Sequence, residues 1–297
     1  MGDAVTAGGK VLKTGPKSKI FVNFSDHGAP GLIAFPTSYL YADALQQAID
    51  DMDAASLYNE MTIYIEACES GSMFPSLKGD QRVYGVTASN ATLSSWAAYC
   101  SPDDMVQGVE IGTCLGDLFS VNWMEDTEAN NPLVETLDVQ FANVQTLTTA
   151  SPVMKFGDFS FMSEPVADFE GNNDGTATWL EKVLQMAPVG VSSKANQSTL
   201  WDSRDVKMNY LHRKVQKNGD EQAQQELVNE LQSRMESDSL FKDLFPNHVS
   251  NEMEVSPKDF DCLRFLMSTH DSFCGRFDDY SLKYVKHLVH TCETESQ

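Results

Sequence analysis

Long apolar stretches are missing from these 297 residues: no run of eighteen occurs, so no segment reads as a membrane-spanning helix. The N-terminal Met1-Gly-Asp-Ala-Val-Thr-Ala-Gly-Gly9 has no hydrophobic region of the kind a signal peptide carries. It fits only the short Met-Gly-x-x-x-Ser/Thr pattern of myristoylation. Positive charge is scarce. Lys and Arg total 21 against 43 Asp and Glu, a net of −22, which argues against nucleic acid and anionic membrane as partners. The deficit is uneven: about −16 falls in residues 1–200 and −6 in residues 201–297, which also hold five of the six histidines. Near pH 5 the second part approaches neutrality while the first stays acidic, as suits an acidic compartment; a solvated acidic surface with scattered His is the plainer reading. Cysteines number six, and no metal-ligand or cofactor spacing accompanies them.

What is present is organised around residues 20–68. Lys19-Ile-Phe-Val-Asn-Phe-Ser25 precedes Asp26-His27-Gly28, and Thr62-Ile-Tyr-Ile-Glu66 precedes Ala67-Cys68. Both runs read as buried strands. Between them Leu45, Ile49 and Met52 fall on one face of a helix. Strand, helix, strand predicts parallel pairing with a right-handed crossover, so that both strands end at one sheet edge with His27 and Cys68 close together. Taken singly, a strand-end Cys is a core residue and a lone His a packed or solvated one. Placed together, they form the minimum for covalent acyl transfer, the imidazole drawing the proton from the thiol. Gly28 leaves its backbone N–H bare beside His27, and it and the Cys68 N–H are the candidate oxyanion donors.

The strings Ser25-Asp-His-Gly28 and Tyr64-Ile-Glu-Ala-Cys-Glu-Ser-Gly-Ser-Met73 closely resemble those of the legumain family, asparaginyl endopeptidases among the caspase-fold cysteine proteases. Gly8–Pro16 and Gly116-Asp-Leu-Phe-Ser-Val-Asn-Trp-Met-Glu-Asp126 extend the resemblance, which continues weakly to the C-terminus. It implies an α/β caspase-like sheet with flanking helices, followed by an all-α bundle like the family's prodomain. The expected division is a partial caspase-like domain at 1–168, a linker or activation segment at 169–203 and helices at 204–297. The resemblance also implies that the family's first strands, its His-orienting Asn and an Arg-His pair of the specificity pocket are not among these residues. The expectation is therefore a chain shortened at both ends.

By the same resemblance Glu66, Ser95 and Asp117 line a pocket for the substrate Asn side chain. Without it, Glu66 and Asp117 read as ordinary surface carboxylates. Asp26 is either a turn acceptor or, as in the family, a residue able to cyclise to a succinimide. Asn218, ahead of Gly219, is the candidate autocleavage position, with Asn196 and Asn172-Asn173 as alternatives. Asn23, Asn90 and Asn196 head glycosylation sequons; Asn23 falls in the expected central strand, the other two in loops. Cys100 and Cys114 bracket an insertion and can close a loop. The resemblance implies Cys262–Cys292 and leaves Cys274 without a partner.

The implied activity is hydrolysis after Asn, more weakly after Asp, by Cys68 with His27 as base, in a proenzyme activated by acid. No cofactor or metal is expected. Protein and peptide substrates are implied, with the chain's own C-terminal part as lid, inhibitors of cystatin type as partners, and a lysosomal, vacuolar or secreted setting. Two alternatives stand beside it. One is a catalytically silent relative acting as a binding or decoy module. The other is an enzyme like the catalytic subunit of the GPI-anchor transamidase, whose strings around His and Cys match less well. Caspases proper differ around the Cys, and papain-like enzymes reverse the Cys–His order.

Overall fold

The computed structural model describes residues 11–171, 199–219, 221–246 and 256–295. Asn172-Asn173, Asn196 and most of the 169–203 segment lie outside them. The elements in chain order are β1 (Lys19–Ser25), β2 (Gly28–Ala29), β3 (Leu32–Phe35), β4 (Ser38–Tyr41), α1 (Ala42–Ala54) and β5 (Glu60–Glu66). Next come β6 (Val83–Thr87), β7 (Trp96–Ala98), β8 (Met105–Val106), β9 (Val109–Glu110), β10 (Gly116–Asp117), α2 (Leu118–Ala129), α3 (Leu137–Leu147), β11 (Met154–Gly157) and α4 (Ala167–Glu170). The last stretch holds β12 (Trp201–Asp202), α5 (Val206–Asn218), α6 (Glu221–Leu244), α7 (Phe260–Cys274) and α8 (Val285–Glu295).

The main sheet runs β1-β5-β6-β11, with β1, β5 and β6 parallel and β11 antiparallel. Every residue of β5 is buried, as a strand covered on both faces requires. Its side chains alternate as the pleat dictates. Met61, Ile63 and Ile65 join Ile49 of α1 on one face, while Tyr64 faces the other way, toward Phe119, Leu137, Phe141 and Val144 from α2 and α3. The mixed sheet with helices on both sides is caspase-like, as the resemblance implies.

Position within the sheet differs from expectation in one respect. Among the described residues β1 pairs only with β5, so it is an edge strand rather than the central one, and Asn23 is exposed. A run of Ile, Val and Phe marks a strand, but it does not say how many neighbours that strand has. Asn90 is engaged locally, its Oδ1 accepting from Thr92 and Leu93 N–H.

The helices after residue 204 do not stand apart. Their core joins Phe241, Leu263, Met267, Val285 and Val289 to Ala29, Leu32 and Ala34 of the small β2–β3–β4 sheet. Cys262 is disulfide-bonded to Cys292 and Cys100 to Cys114, while Cys274 is a free, exposed thiol. Arg264 of α7 pairs with Asp43 at 2.5 Å. Because Leu263 is fully buried in this shared cluster, Leu263→Ala is expected to cost about 2–5 kcal/mol. Urea unfolding of the two proteins measures it.

Candidate active site

Parallel register decides where the site forms. Ser25 of β1 lies opposite Glu66 of β5, so both strands end together, and Asp26 N–H donates to the Glu66 carbonyl at 3.2 Å. Two residues further on, the chains touch. A Cβ added to Gly28 would sit 2.4 Å from the Cys68 carbonyl oxygen and 3.0 Å from the Ala67 Cβ. Only glycine permits that approach of the His27–Gly28 backbone to Cys68. Asp26 acts on its own turn, its Oδ1 accepting the His27 N–H at 2.8 Å.

His27 lies among carboxylates. Its Nε2 is 3.3 Å from Asp279, which belongs to the loop before the 3-10 turn Ser281–Tyr284, and Asp26 and Asp117 act on it electrostatically. Burial opposes the imidazolium, but the Asp279 hydrogen bond and charge outweigh it, so His27 titrates above its ordinary value. The same bond holds the Asp279 carboxyl below its ordinary range. The pair thus adds stability between these two limits. It is lost as pH rises through the raised His27 value or falls through the lowered Asp279 value.

Cys68 is 1 % exposed and turned toward β7. Ser95 N–H donates to Sγ at 3.3 Å and Ser95 Oγ lies 3.5 Å from it. Burial pushes the thiol upward. Arg204 and the Ser95 hydrogen bonds pull the other way, and Glu69 adds to the rise. The thiol is therefore protonated and shielded in this state.

The expected pocket residues gather unevenly. Ser95 and Asp117 line a cavity of about 430 Å³ with Asp26, His27, Ser203, Lys207, Tyr210 and Asp279. Glu66 does not line it. Its side chain is 1 % exposed, one oxygen accepting the Ser120 N–H at 2.7 Å at the start of α2. Burial, reinforced by Asp117, raises the Glu66 carboxyl well above its ordinary value. A protonated Glu66 can donate as well as accept.

Residues after 200 form part of the cavity wall. β12 pairs with β7, and Ser203 reaches Ser95, N–H to carbonyl at 3.2 Å and Oγ to Oγ at 3.0 Å. Arg204 donates to Glu69 Oε2 at 2.6 Å, Ser94 Oγ at 3.0 Å and the Gly28 carbonyl at 3.3 Å. Arg234 of α6 braces this segment, donating to Asp205 at 2.6 Å, to the Arg204 carbonyl at 2.8 Å and to Glu230 at 2.8 Å. Sequence reading missed Ser203, Arg204, Asp205, Arg234 and Asp279. Ser203, Arg204 and Asp279 lie more than a hundred positions from the catalytic-half residues they touch, Asp205 and Arg234 about thirty from each other, and nothing in their neighbourhoods marks them. Asn218 was expected in an exposed linker. Its backbone ends α5 at the junction with α6, with Gly219 capping in the left-handed region at φ +59°.

Residues 1–172 match the sequence profile of the peptidase C13 family. The chain belongs to this family. C13 relatives include the delta-isozyme of vacuolar-processing enzyme from Arabidopsis thaliana, 35 % identical over 97 % of the chain and 66 % of its own length. A vacuolar-processing enzyme of Citrus sinensis is 33 % identical, with 98 % and 63 % covered. Legumain of Mus musculus is 31 % identical, with 96 % and 65 % covered. The C13 chain described here thus spans a little under two thirds of the length of these curated relatives.

Two outcomes are expected. In NMR titration, His27 of the intact protein has a pKa above the ordinary 6.5, and Asp279→Asn lowers it. Under native conditions near neutral pH, iodoacetamide labels exposed Cys274 at least about tenfold faster than Cys68, as peptide mass mapping would record.

Proposed function

We propose that this chain is a cysteine endopeptidase of the C13 family that cleaves after Asn and is held latent by its own helical C-terminal part. The observation that carries the reading is the meeting of the two strand ends. The His27–Gly28 backbone lies against Cys68, and Ser95 and Asp117 flank a cavity that opens beside them. In the open enzyme His27 takes the thiol proton and the thiolate attacks the carbonyl carbon of the scissile bond. The Gly28 and Cys68 N–H groups hold the oxyanion, His27 returns the proton to the leaving amine, and water releases the acyl group. The Asn carboxamide is read by Asp117 and Ser95, with Glu66 buried behind them, since a site that pairs both its N–H and its oxygen rejects side chains lacking them.

Latency fits the closed geometry. Asp279 engages His27, Ser203 contacts Ser95 at the cavity wall, Arg204 covers Glu69, and the Cys68 thiol is buried. Acid is the releasing signal, and its sign follows from the contacts across the lid. Glu110 of β9, lowered by Lys217 and Arg213 of α5, and Asp279, lowered by His27, favour the closed state while ionised. Both are lost only as pH falls below the ordinary carboxylate range. Glu69 has the opposite sign: burial raises it despite Arg204, so its protonation favours closure. The setting proposed is vacuolar or lysosomal, in keeping with the names of the relatives.

The test is turnover of an Asn-containing fluorogenic peptide assayed at one fixed mildly acidic pH after pre-incubation at a series of pH values. Activity is expected only after exposure below about pH 4.5, where ordinary carboxylates titrate. Cys68→Ala should lower it by more than about a thousandfold. A folded protein with no turnover after any pre-incubation would instead support a silent binding module.

A further inference from the structure

The segment that closes the site is laid in like a peptide. β12 adds antiparallel to the outer edge of β7, Trp201 opposite Ala97 and Asp202 opposite Trp96, a mode by which extended peptides are bound. Ser203 then stands in the pocket between Ser95 and Asp117. The residue after it, Arg204, is 8 % exposed and enters a second receptor built on the residue after Cys68.

That receptor is preformed by the catalytic half. Glu69 is 7 % exposed and its backbone is held in the left-handed region at φ +49°, with its N–H on the Leu93 carbonyl at 2.8 Å. Its carboxylate, the Ser94 hydroxyl and the Gly28 carbonyl offer three acceptors to one guanidinium. The other charged groups facing Glu69 are Asp202, Lys286 and Cys68. A cavity of about 310 Å³ adjoins it, lined by Glu69, Thr92, Ser94 and Arg204 among others.

We propose that Glu69, Ser94 and the Gly28 carbonyl form a substrate subsite for a basic side chain, Arg ahead of Lys, on the residue immediately following the one held by Ser95 and Asp117. Arg204 is the chain's own occupant of this subsite. A planar fork of donors satisfies three converging acceptors better than a single ammonium does, which sets Arg ahead of Lys. With Arg204 withdrawn, Glu69 loses its closest cation, and an incoming guanidinium restores the pair. The word substrate rests on the peptidase reading; the binding of a guanidinium does not.

The experiment has two arms on the full chain. In the first, Arg204→Ala, or Arg204→Gln should that variant not fold, is titrated with argininamide and with citrullinamide, its neutral isostere, and thermal unfolding is followed. A saturable rise in Tm with argininamide alone, absent from the same variant carrying Glu69→Gln, is expected. Equal responses to the two amides, or persistence of the argininamide response with Glu69→Gln, would overturn the subsite. In the second arm the acid-activated protein is given matched peptides with Asn-Arg, Asn-citrulline and Asn-Glu at the cut. A kcat/KM for Asn-Arg about tenfold above Asn-citrulline is expected, falling to near parity in Glu69→Gln. Cleavage of all three peptides at one rate defeats the subsite and leaves the peptidase reading intact. If no peptide is cut, the peptidase reading fails and the amide titration alone decides the subsite.

Discussion

Everything at the candidate site depends on the parallel pairing of β1 with β5. That register sets Ser25 opposite Glu66, and each strand then delivers one reactive side chain past the same edge. Parallel strands need a crossover, and α1 supplies it, burying Ile49 against Ile63 and Ile65 as it returns. A slip by one residue would exchange the two faces of the sheet. Tyr64 would then leave the aromatic cluster it forms with Phe21, Phe119 and Trp123, and the Gly28 backbone would no longer lie against Cys68. Packing on both faces of β5 therefore fixes the chemistry at its end.

The closed state uses the same kind of bond once more. A two-residue strand, β12, joins β7, and Ser203, the residue after it, touches Ser95. So short a strand contributes little alone. What holds it is Arg204, buried against Glu69, and Arg234, which grips the Arg204 carbonyl and Asp205 from α6. The helices after residue 204 in turn share an apolar core with Leu32 and Ala34 of β3. The opening proposed above would therefore break ion pairs and also expose apolar surface, and hydration of that surface opposes it.

Much of the architecture was legible because it obeys simple periods. The strands through Ile20, Ile63 and Val83, the α1 stripe of Leu45, Ile49 and Met52, and the helices after residue 204 all follow patterns of two or 3.6 residues. The small sheet β2–β3–β4 was not read, because strands of two to four residues are too short to show a period; the hairpin β8–β9 falls in the hairpin-like loop expected between Cys100 and Cys114. Charged residues misled in another way. Glu66 looks like a surface carboxylate, yet it is buried on the Ser120 N–H, and Glu69, which drew no reading, is buried on Arg204. Their partners are distant in the chain, so no local pattern announces them.

The sequence by itself determined the family strings around His27 and Cys68, the parallel strand–helix–strand unit and the acidic balance, since these rest on residue identity and short-range period. Only the tertiary structure decided that the thiol faces Ser95, that Asp279 holds His27, and that Ser203 and Arg204 fill the site. Those are contacts between segments more than a hundred residues apart, except the one from Cys68 to Ser95. They exist because burial makes an unpaired carboxylate or guanidinium costly, and the fold must then bring a counter-group from wherever the chain has one.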